Sequence, residues 1–420
     1  MTKNFIKTIA LSLFVALLLP MAAQAAANEP SIIGMSSIVM DMDTGEVIYS
    51  KNDEDKRSPA STNKLLTSLI FAENTSKSDL IPYTDESASL TETTLNTNFM
   101  GGTVKAGDTM TADDVMKAVM IYSANDASIM MADYVAGSVD AFASKMNEKA
   151  AELGAKNSHF INPNGLEVDS TTYNYTTAYD LALIATEAYK NEWIRDVMAL
   201  DSTTLTLNGS KIFIDTRNKI LGQNNNVGGK TGTETLAGHC FVGFFNKDGR
   251  NLVTVVLGSE YGADGTNVFN DTKAVADYGY AAEPVTFDKA GTTVGTVDLS
   301  YKLFRFFGPT ETITADLIVD QDVNYYENDF NKEHASITYT GETNNAWKAA
   351  GNKETDLTLS IGNYNTTVKG KIDLSTGDIL KANLPIYLAS LLFVIIVIVI
   401  IIFLIRIINL NKRRSRRRRY

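Results

Sequence analysis

The alternation of hydrophobic and polar residues predicts β-strands in three parts of the chain. In residues 35–50, "MSSIVMDMDTGEVIYS", alternating segments flank Asp43-Thr44-Gly45, which predicts a hairpin. Residues 211–217 are typical of a further strand, and residues 239–258 predict a second hairpin that turns at Lys247-Asp248-Gly249. We therefore expect antiparallel strands before and after the middle of the chain.

A helical period replaces this alternation elsewhere. Residues 111–153 carry apolar side chains at helical spacing, and Thr111 followed by Asp114 resembles an N-terminal capping box. Another helical stripe follows Pro59 and consists of four apolar residues: Leu65, Leu66, Leu69 and Ile70. Helices mixed with antiparallel strands predict an α+β fold.

The composition changes near Glu283-Pro284. From Val285 to about Gly377 the chain is rich in Thr, Val, Tyr and Asp, and segments such as "TITADLIVD" and "DLTLSI" alternate like strands. We predict a first domain over residues 30–282 and a smaller, β-rich stalk domain over residues 285–380.

Both ends of the chain differ from globular sequence. Residues 1–25 combine two lysines with an apolar run and a small-residue exit, which predicts a cleaved signal peptide rather than an anchor. Residues 384–405 are 22 positions without a charge, enough to cross a bilayer as a helix. Because the basic residues 406–420 follow directly, the positive-inside rule places them in the cytoplasm. The expected topology is an exported body held in the cell membrane by a single C-terminal transmembrane helix.

The charge distribution excludes some classes of partner. All 49 Asp and Glu residues lie between the two ends, whereas ten of the 38 Lys and Arg residues lie within them. An exported body this acidic does not suit nucleic acid. Cys240 is the only cysteine, so the chain cannot form an intrachain disulfide. The three histidines lack paired ligands, and we predict neither a metal nor a cofactor.

Ser61 and Lys64 lie three residues apart in "SPASTNKLLT", at the start of a predicted helix. Residues at this spacing share one helix face, so the hydroxyl and the amine would lie side by side. A serine needs a base to become a nucleophile, and a lysine whose pKa is lowered by burial or by neighbouring cations can be that base. Taken alone, the pair is also consistent with a capping serine beside a solvated lysine.

Two further motifs favour the catalytic interpretation. "SAND" places Ser123 and Asn125 in a loop between helical segments, and "KTGT", residues 230–233, lies just before the strand that holds Cys240. Each motif alone is weak, because Ser-x-Asn recurs in the chain and Lys-Thr-Gly can be a simple turn. Their order after Ser-x-x-Lys, however, is the signature of the penicillin-recognising serine enzymes.

The sequence around the motifs extends this resemblance over roughly residues 30–282. "MDMDTGEVIYSKNDEDKRSPASTNKLLT", "FINPNGLE" and "GGKTGTETLAGHCFVG" are similar to the D-alanyl-D-alanine carboxypeptidases, the S11 serine peptidases among the low-molecular-mass penicillin-binding proteins. The resemblance implies a β-lactamase/transpeptidase-like domain of helices and an antiparallel sheet. It also implies a serine carboxypeptidase of cell-wall biogenesis that β-lactams inhibit covalently.

The resemblance further implies how the catalytic residues act. Ser61 would attack the carbonyl between the two terminal D-alanines of a peptidoglycan stem peptide, and Lys64 would accept its proton. The backbone N–H groups of Ser61 and Thr233 would form an oxyanion hole. Ser123, coupled to Lys230, would relay a proton to the leaving amine, and water would release the acyl-enzyme.

The substrate-binding residues are implied in the same way. Asn125 would hold the substrate amide, while Lys230 and Thr231 would face the terminal carboxylate. The substrate-binding set is completed by the next two residues of the same motif, Gly232 and Thr233.

Two positions depart from the family pattern. Asn164 in "NPNGL" stands where the family often has histidine, in a loop that we expect to be structural. Many relatives also carry an arginine just before the residue that matches Phe269, and it helps to bind the substrate carboxylate; Asn267 and Val268 stand there instead. Three explanations remain open: Lys230 and the threonines suffice, another cation reaches the site, or the substrate preference differs.

Two other functions are alternatives to the carboxypeptidase. A non-catalytic penicillin-sensing or wall-binding protein would keep the fold and lose a catalytic group. A serine β-lactamase shares the three motifs, but its Glu-x-x-Leu-Asn motif follows Ser-x-Asn. In this chain "ETTLN", residues 92–96, precedes Ser123, so we interpret that match as coincidence.

Overall fold

The structure, a computed structural model, describes residues 28–417. The signal peptide predicted over residues 1–25 lies outside the described residues. Contacts between residues divide the described chain into two units. The first runs to Pro284 and includes Tyr326–Glu333, and the second comprises Val285–Tyr325 and the chain from His334 onward.

The strands of the first unit form one large sheet and two small ribbons. They are β1 (Ser36–Asp41), β2 (Val47–Lys51), β3 (Leu80–Pro82), β4 (Thr109–Thr111), β5 (Ser202–Leu207), β6 (Ser210–Asp215), β7 (Asn226–Glu234), β8 (Gly238–Lys247) and β9 (Arg250–Ser259). The large sheet is antiparallel throughout and has the order β2-β1-β9-β8-β7, while β3 pairs with β4 and β5 with β6. Both predicted hairpins are confirmed, as β1–β2 and β8–β9. The second turns through Asp248 and Gly249, both at positive φ.

The helices between residues 64 and 281 contribute many of the buried apolar residues of the first unit. They are α1 (Lys64–Asn74), α2 (Asp85–Ser89), α3 (Leu95–Phe99), α4 (Ala112–Lys117), α5 (Asn125–Ala136), α6 (Val139–Glu152), α7 (Ala178–Lys190), α8 (Glu192–Met198) and α9 (Asn267–Ala281). The helix predicted after Pro59 is confirmed as α1, which a 3₁₀ turn over Ala60–Asn63 precedes. The helical prediction for residues 111–153 is also confirmed, with an interruption: a π turn over Ala118–Tyr122 ends at Ser123, whose φ is 71°.

The central strands of the large sheet are almost wholly buried. β8 and β9 read as continuous apolar runs, as expected for strands covered on both faces. One core cluster joins Phe241 and Val256 of these strands to Val268 and Val275 of α9. Strand β7 lies at the edge of this sheet and is therefore held in place while one of its sides stays open.

The segment Tyr326–Glu333 is grouped with the first unit, although sequence reasoning placed all of residues 285–380 in one domain. Its contacts explain the grouping. The Asn331 side chain donates a hydrogen bond of 2.8 Å to the carbonyl of Val47, and the Phe330 ring stacks on Tyr179 with centroids 4.4 Å apart.

The second unit contains a five-stranded antiparallel sheet of order β11-β12-β16-β15-β14 and a β10–β13 pair. Its strands are β10 (Val285–Asp288), β11 (Thr293–Lys302), β12 (Thr310–Val319), β13 (Val323–Tyr325), β14 (Ser336–Thr338), β15 (Thr355–Ile361) and β16 (Tyr364–Asp373). The remaining helices among residues 28–417 are α10 (Asp329–His334), which lies almost wholly in the segment grouped with the first unit, and α11 (Ala346–Ala349), α12 (Thr376–Ala382) and α13 (Leu384–Arg417) of the second unit. Within residues 28–417, α13 is the one helix that is long and apolar enough to cross a membrane.

Candidate active site

The turn that carries Ser61 is held in a strained conformation by a neighbouring loop. Ala60, directly before the serine, is fully buried and has a φ of 47°, a region that residues with a Cβ seldom adopt. Gly165 of "NPNGL" packs against it at a φ of 88°, and a Cβ there would overlap the Ala60 carbonyl. Asn63 and Thr67 donate hydrogen bonds to the carbonyls of Asn162 and Pro163, at 3.0 Å and 2.7 Å. The loop therefore fixes the position from which Ser61 points.

Lys64 lies beneath Ser61 and has no exposed surface. Its Nζ donates to the Ser61 Oγ at 2.7 Å and to the Asn125 Oδ1 at 2.8 Å. Burial, and next the charge of Arg217, hold the pKa of Lys64 well below its ordinary value. The lowered pKa favours the neutral form of the amine, and its contact with the serine oxygen is the one that a base for that serine needs.

The third partner of Lys64 is the backbone carbonyl of Asn164, which also accepts from the Ser61 Oγ at 3.4 Å. Sequence reasoning treated this loop as structural and missed the contact, because a backbone acceptor leaves no trace in residue identity. The Asn164 side chain is occupied elsewhere, since its Oδ1 accepts from the N–H of Leu166 at 3.0 Å.

Ser123 and Lys230 form a second buried pair at the same site. The Lys230 Nζ donates to the Ser123 Oγ at 2.8 Å and to the Thr231 carbonyl at 3.0 Å. Lys230 is only 1% exposed, and burial, followed by the charges of Lys64 and Arg217, lowers its pKa well below the ordinary value. The hydrogen bond to Ser123 positions Lys230 to exchange protons with that serine, and the lowered pKa disfavours the charge that would bind a carboxylate.

Asn125 is positioned by the segment that contains Glu92 and Thr93, which forms one wall of the cleft. Its Nδ2 donates to the Glu92 carbonyl and its backbone N–H to the Thr93 carbonyl, both at 2.8 Å. The buried Asp126 fastens the same wall by accepting from the backbone N–H groups of Leu95 and Asn96. The segment "ETTLN" therefore lies beside Ser-x-Asn in space and supplies part of the site, which the order of motifs did not predict.

The Lys-Thr-Gly motif lies within strand β7, directly before strand β8, which holds Cys240 as expected. Gly232 faces the serine turn, where a Cβ would lie 2.9 Å from the Pro59 carbonyl oxygen and 3.0 Å from the Ser61 nitrogen. Only glycine lets the strand approach the turn this closely.

The motif residues meet at one cleft of about 330 Å³. Ser61, Ser123, Asn125 and residues 231–233 line the cleft, and Lys64 and Lys230 lie buried below it. Sequence reasoning missed the rest of the lining, which is contributed by nine residues: Thr93, Thr216, Arg217, Lys219, Glu234, His239, Tyr261, Gly265 and Phe269. Burial and the nearby Glu167 and Glu92 raise the pKa of Glu234 to about 7. The cleft can therefore gain a negative charge near neutral pH.

The family described as D-alanyl-D-alanine carboxypeptidase, peptidase family S11, matches residues 23–261, which is more than half of the chain. The chain belongs to this family. It is 34% identical to the D-alanyl-D-alanine carboxypeptidase DacF of Bacillus subtilis over 53% of this chain and 57% of DacF. It is 33% identical to the D-alanyl-D-alanine carboxypeptidase DacC of Escherichia coli over 62% of this chain and 64% of DacC. The match thus spans less than two thirds of each of these relatives.

A solved structure of a carboxypeptidase of this family confirms the predicted fold. The D-alanyl-D-alanine carboxypeptidase from Mycobacterium tuberculosis H37Rv superposes with a TM-score of 0.57 at 26% identity, over 62% of this chain and 96% of that one. The antiparallel sheet with helices described above is therefore the transpeptidase fold.

Val268, which stands where many relatives carry the arginine, does not line the cleft. Sequence reasoning assumed that residue 268 faces the substrate, but Val268 is fully buried in the core cluster formed by α9 and the large sheet. An arginine introduced there would bury its charge in the core. Instead, Arg217 lines the cleft from the segment after β6, with its guanidinium 4.7 Å from the centre of the Tyr122 ring. Of the three explanations left open, the second, that another cation reaches the site, agrees with this placement.

Proposed function

We propose that this chain is a serine-type D-Ala-D-Ala carboxypeptidase, which removes the terminal D-alanine from peptidoglycan stem peptides through an acyl-enzyme on Ser61. The observation that carries the proposal is the contact of 2.7 Å between the Ser61 Oγ and the buried Lys64 Nζ, whose pKa is lowered by burial. A neutral amine at this distance accepts the hydroxyl proton as the oxygen attacks the peptide carbonyl.

The oxyanion that forms is stabilised by the backbone N–H groups of Ser61 and Thr233. The approach of β7 to the serine turn, which Gly232 permits, brings these two segments together. Ser123, bonded to Lys230, then carries a proton to the nitrogen of the leaving D-alanine. Water attacks the ester on Ser61, and the shortened peptide leaves.

Substrate binding divides between two sides of the cleft. Asn125, already fixed by Lys64 and the Glu92 carbonyl, presents its amide to the peptide backbone. The terminal carboxylate lies against the exposed Arg217 and the hydroxyl of Thr231. A guanidinium can donate two parallel hydrogen bonds to a carboxylate, whereas Lys230 is hydrogen-bonded to Ser123. This assignment replaces Lys230 by Arg217 as the cation that binds the carboxylate.

The proposed location rests on α13. We infer that residues 384–405 span the cell membrane, that the body is extracytoplasmic and that the basic residues from 406 onward lie in the cytoplasm. Protease added to intact cells should digest the body and spare an epitope placed after Tyr420. Digestion of the epitope under these conditions would overturn the topology.

The enzymatic proposal is tested by D-alanine release from a pentapeptide ending in D-Ala-D-Ala. The full chain should release D-alanine, Ser61→Ala should not, and β-lactams should block release by acylating Ser61. A protein that is labelled by fluorescent penicillin yet releases no D-alanine would be a penicillin-sensing or wall-binding protein instead.

A further inference from the structure

The hairpin tip that joins β11 to β12, residues 303–309, is the most apolar exposed surface of the second unit outside α13. Phe306 is 83% exposed and Phe307 is 67% exposed. Phe306 is the most exposed large hydrophobic residue among residues 28–417. Two neighbouring phenylalanines exposed together make this tip a candidate contact surface.

We propose that this tip inserts into the lipid headgroup region of the membrane beside α13 and forms a second membrane contact. The inference rests on the membrane anchoring proposed above and adds a surface to it. The partner to which we commit is the bilayer itself, with anionic headgroups.

The tip is a built structure. The N–H of Leu303 donates to the Pro309 carbonyl at 3.0 Å, and the N–H of Phe304 donates to the Phe307 carbonyl at 3.1 Å. The rings of Phe304 and Phe307 stack with centroids 5.2 Å apart, and Arg305 adopts a φ of 66° between them. These contacts fix the backbone of the tip while Phe306 and Phe307 stay exposed. The tip therefore loses little conformational entropy when it meets a partner.

The tip lies at the level where α13 begins. The hydroxyl of Tyr387, in the first turn of α13, donates to the Leu303 carbonyl at 2.5 Å, and its ring meets Phe304 with centroids 5.7 Å apart. At about 1.5 Å of rise per residue, Tyr387 lies roughly 5 Å from the start of the helix. Tyrosine at this depth is typical of the membrane–water interface. A tip fastened to Tyr387 is therefore at the membrane surface whenever α13 spans the bilayer.

The chemistry of the tip suits that interface. The Arg305 guanidinium lies 5.5 Å from the centre of the Phe306 ring, so a cation and an apolar ring are presented together. Such a pair can place the ring among acyl chains and the charge among phosphates.

The opposite end of the same sheet carries an exposed turn without large apolar side chains. Asp316 pairs with Asp373 and Val319 with Gly370, so the β15–β16 turn lies at the end of the sheet away from the tip. That turn consists of Gly362 and Asn363, and offers a matched control position of the same unit.

The test uses the full chain in lipid nanodiscs that contain anionic phospholipid, with bromine atoms either near the headgroups or deep in the acyl chains. Three variants each add one tryptophan: Phe306→Trp at the tip, Asn363→Trp at the far turn and Val394→Trp within α13. Emission from the native Trp193 and Trp347 is measured on the parent protein and subtracted. We expect the Phe306→Trp emission to be lost most with shallow bromines, the Val394→Trp emission with deep bromines, and the Asn363→Trp emission with neither.

Each contrary result has a distinct meaning. Quenching of Val394→Trp without Phe306→Trp would overturn the tip contact and leave the anchor intact, as expected if a soluble protein covers the phenylalanines. Equal quenching of Asn363→Trp would show that the tip is not the contact. If no variant is quenched, the anchor fails together with the tip. D-alanine release from the same nanodiscs reports on the proposed catalysis independently of all three outcomes.

Discussion

Replacing Arg217 by alanine tests how the cleft binds its substrate. Arg217 is exposed at the cleft, and its guanidinium lies on the Tyr122 ring, so it is available to the terminal carboxylate of a peptide. A charge-assisted hydrogen bond contributes roughly 1.5 to 3 kcal/mol, which corresponds to about a ten- to hundredfold change in kcat/KM. Because the cleft is open to water, we expect Arg217→Ala to lower kcat/KM by about tenfold, near the lower limit.

A second effect of the same change must be separated from the first. Arg217 helps to lower the pKa of Lys64 and of Lys230, so its removal should raise both pKa values. A base with a higher pKa stays protonated to a higher pH, so the acidic limb of the pH profile of kcat/KM should shift to higher pH. This loss affects any substrate, whereas loss of the carboxylate contact affects only a substrate with a free terminal carboxylate.

The assay therefore measures kcat/KM across pH for two peptides, one ending in D-Ala-D-Ala and one whose terminal carboxylate is an amide. Arg217→Ala should reduce the preference for the free acid, and Arg217→Lys should restore part of it. Lys219→Ala is the matched control, because the Lys219 Nζ is held by the Asp264 carbonyl at 2.7 Å. An unchanged preference for the free acid in a folded Arg217→Ala protein would refute the assignment.

Three further predictions follow from contacts at and away from the cleft. Gly232→Ala should slow acylation of Ser61 by labelled penicillin roughly tenfold or more, since its Cβ would lie 2.9 to 3.0 Å from backbone atoms of the serine turn; Gly295→Ala, which meets nothing closer than 3.9 Å, is the control. Glu234→Gln should flatten any rise of KM above pH 7, because burial raises the pKa of Glu234 to about 7 and its ionisation opposes an anionic substrate. Glu46→Gln should raise the melting temperature at pH 8 and leave it unchanged at pH 4, because burial raises the pKa of Glu46 to about 7.

The sign of the Glu46 effect follows from its two states. In the unfolded chain the carboxyl ionises near its ordinary pKa, and in the folded chain it ionises only near 7. The folded state is therefore penalised increasingly as pH rises between these values, and wild-type stability should fall there relative to Glu46→Gln. A constant difference between the two proteins at all pH values would contradict this account. For the cleft variants, a Gly232→Ala protein as reactive as the control, or a KM rise retained in Glu234→Gln, would contradict the geometry described.

Sequence patterns predicted the parts of the structure that depend on local spacing. The i, i+3 spacing of Ser61 and Lys64 placed them at the start of a helix, and the side chains are in contact. Apolar segments on both sides of a turn predicted the β1–β2 and β8–β9 hairpins, and the structure buries these strands on both faces. Strand β7 was harder to predict, since Gly228, Gly229 and Gly232 resemble a turn, and pairing with β8 overrides that local preference.

The parts that sequence reasoning missed depend on tertiary contacts. Arg217 reaches the cleft only because the segment after β6 folds over it, and no spacing in the chain relates it to Ser61. Val268 was placed at the substrate by analogy with relatives, but the orientation of α9 buries it against the sheet. The Asn164 carbonyl was missed because any residue supplies a carbonyl.

The central claim, that Ser61 is the nucleophile and Lys64 its base, is tested most directly by locating the acyl group. The full chain is incubated with penicillin, digested and analysed by mass spectrometry. We expect one adduct, on the peptide that contains Ser61, and we expect Lys64→Met to abolish it at neutral pH without loss of folding, because the amine that touches the Ser61 Oγ is removed. An adduct on Ser123 or on any other residue, or unchanged acylation of Ser61 in the folded Lys64→Met protein, would contradict the account.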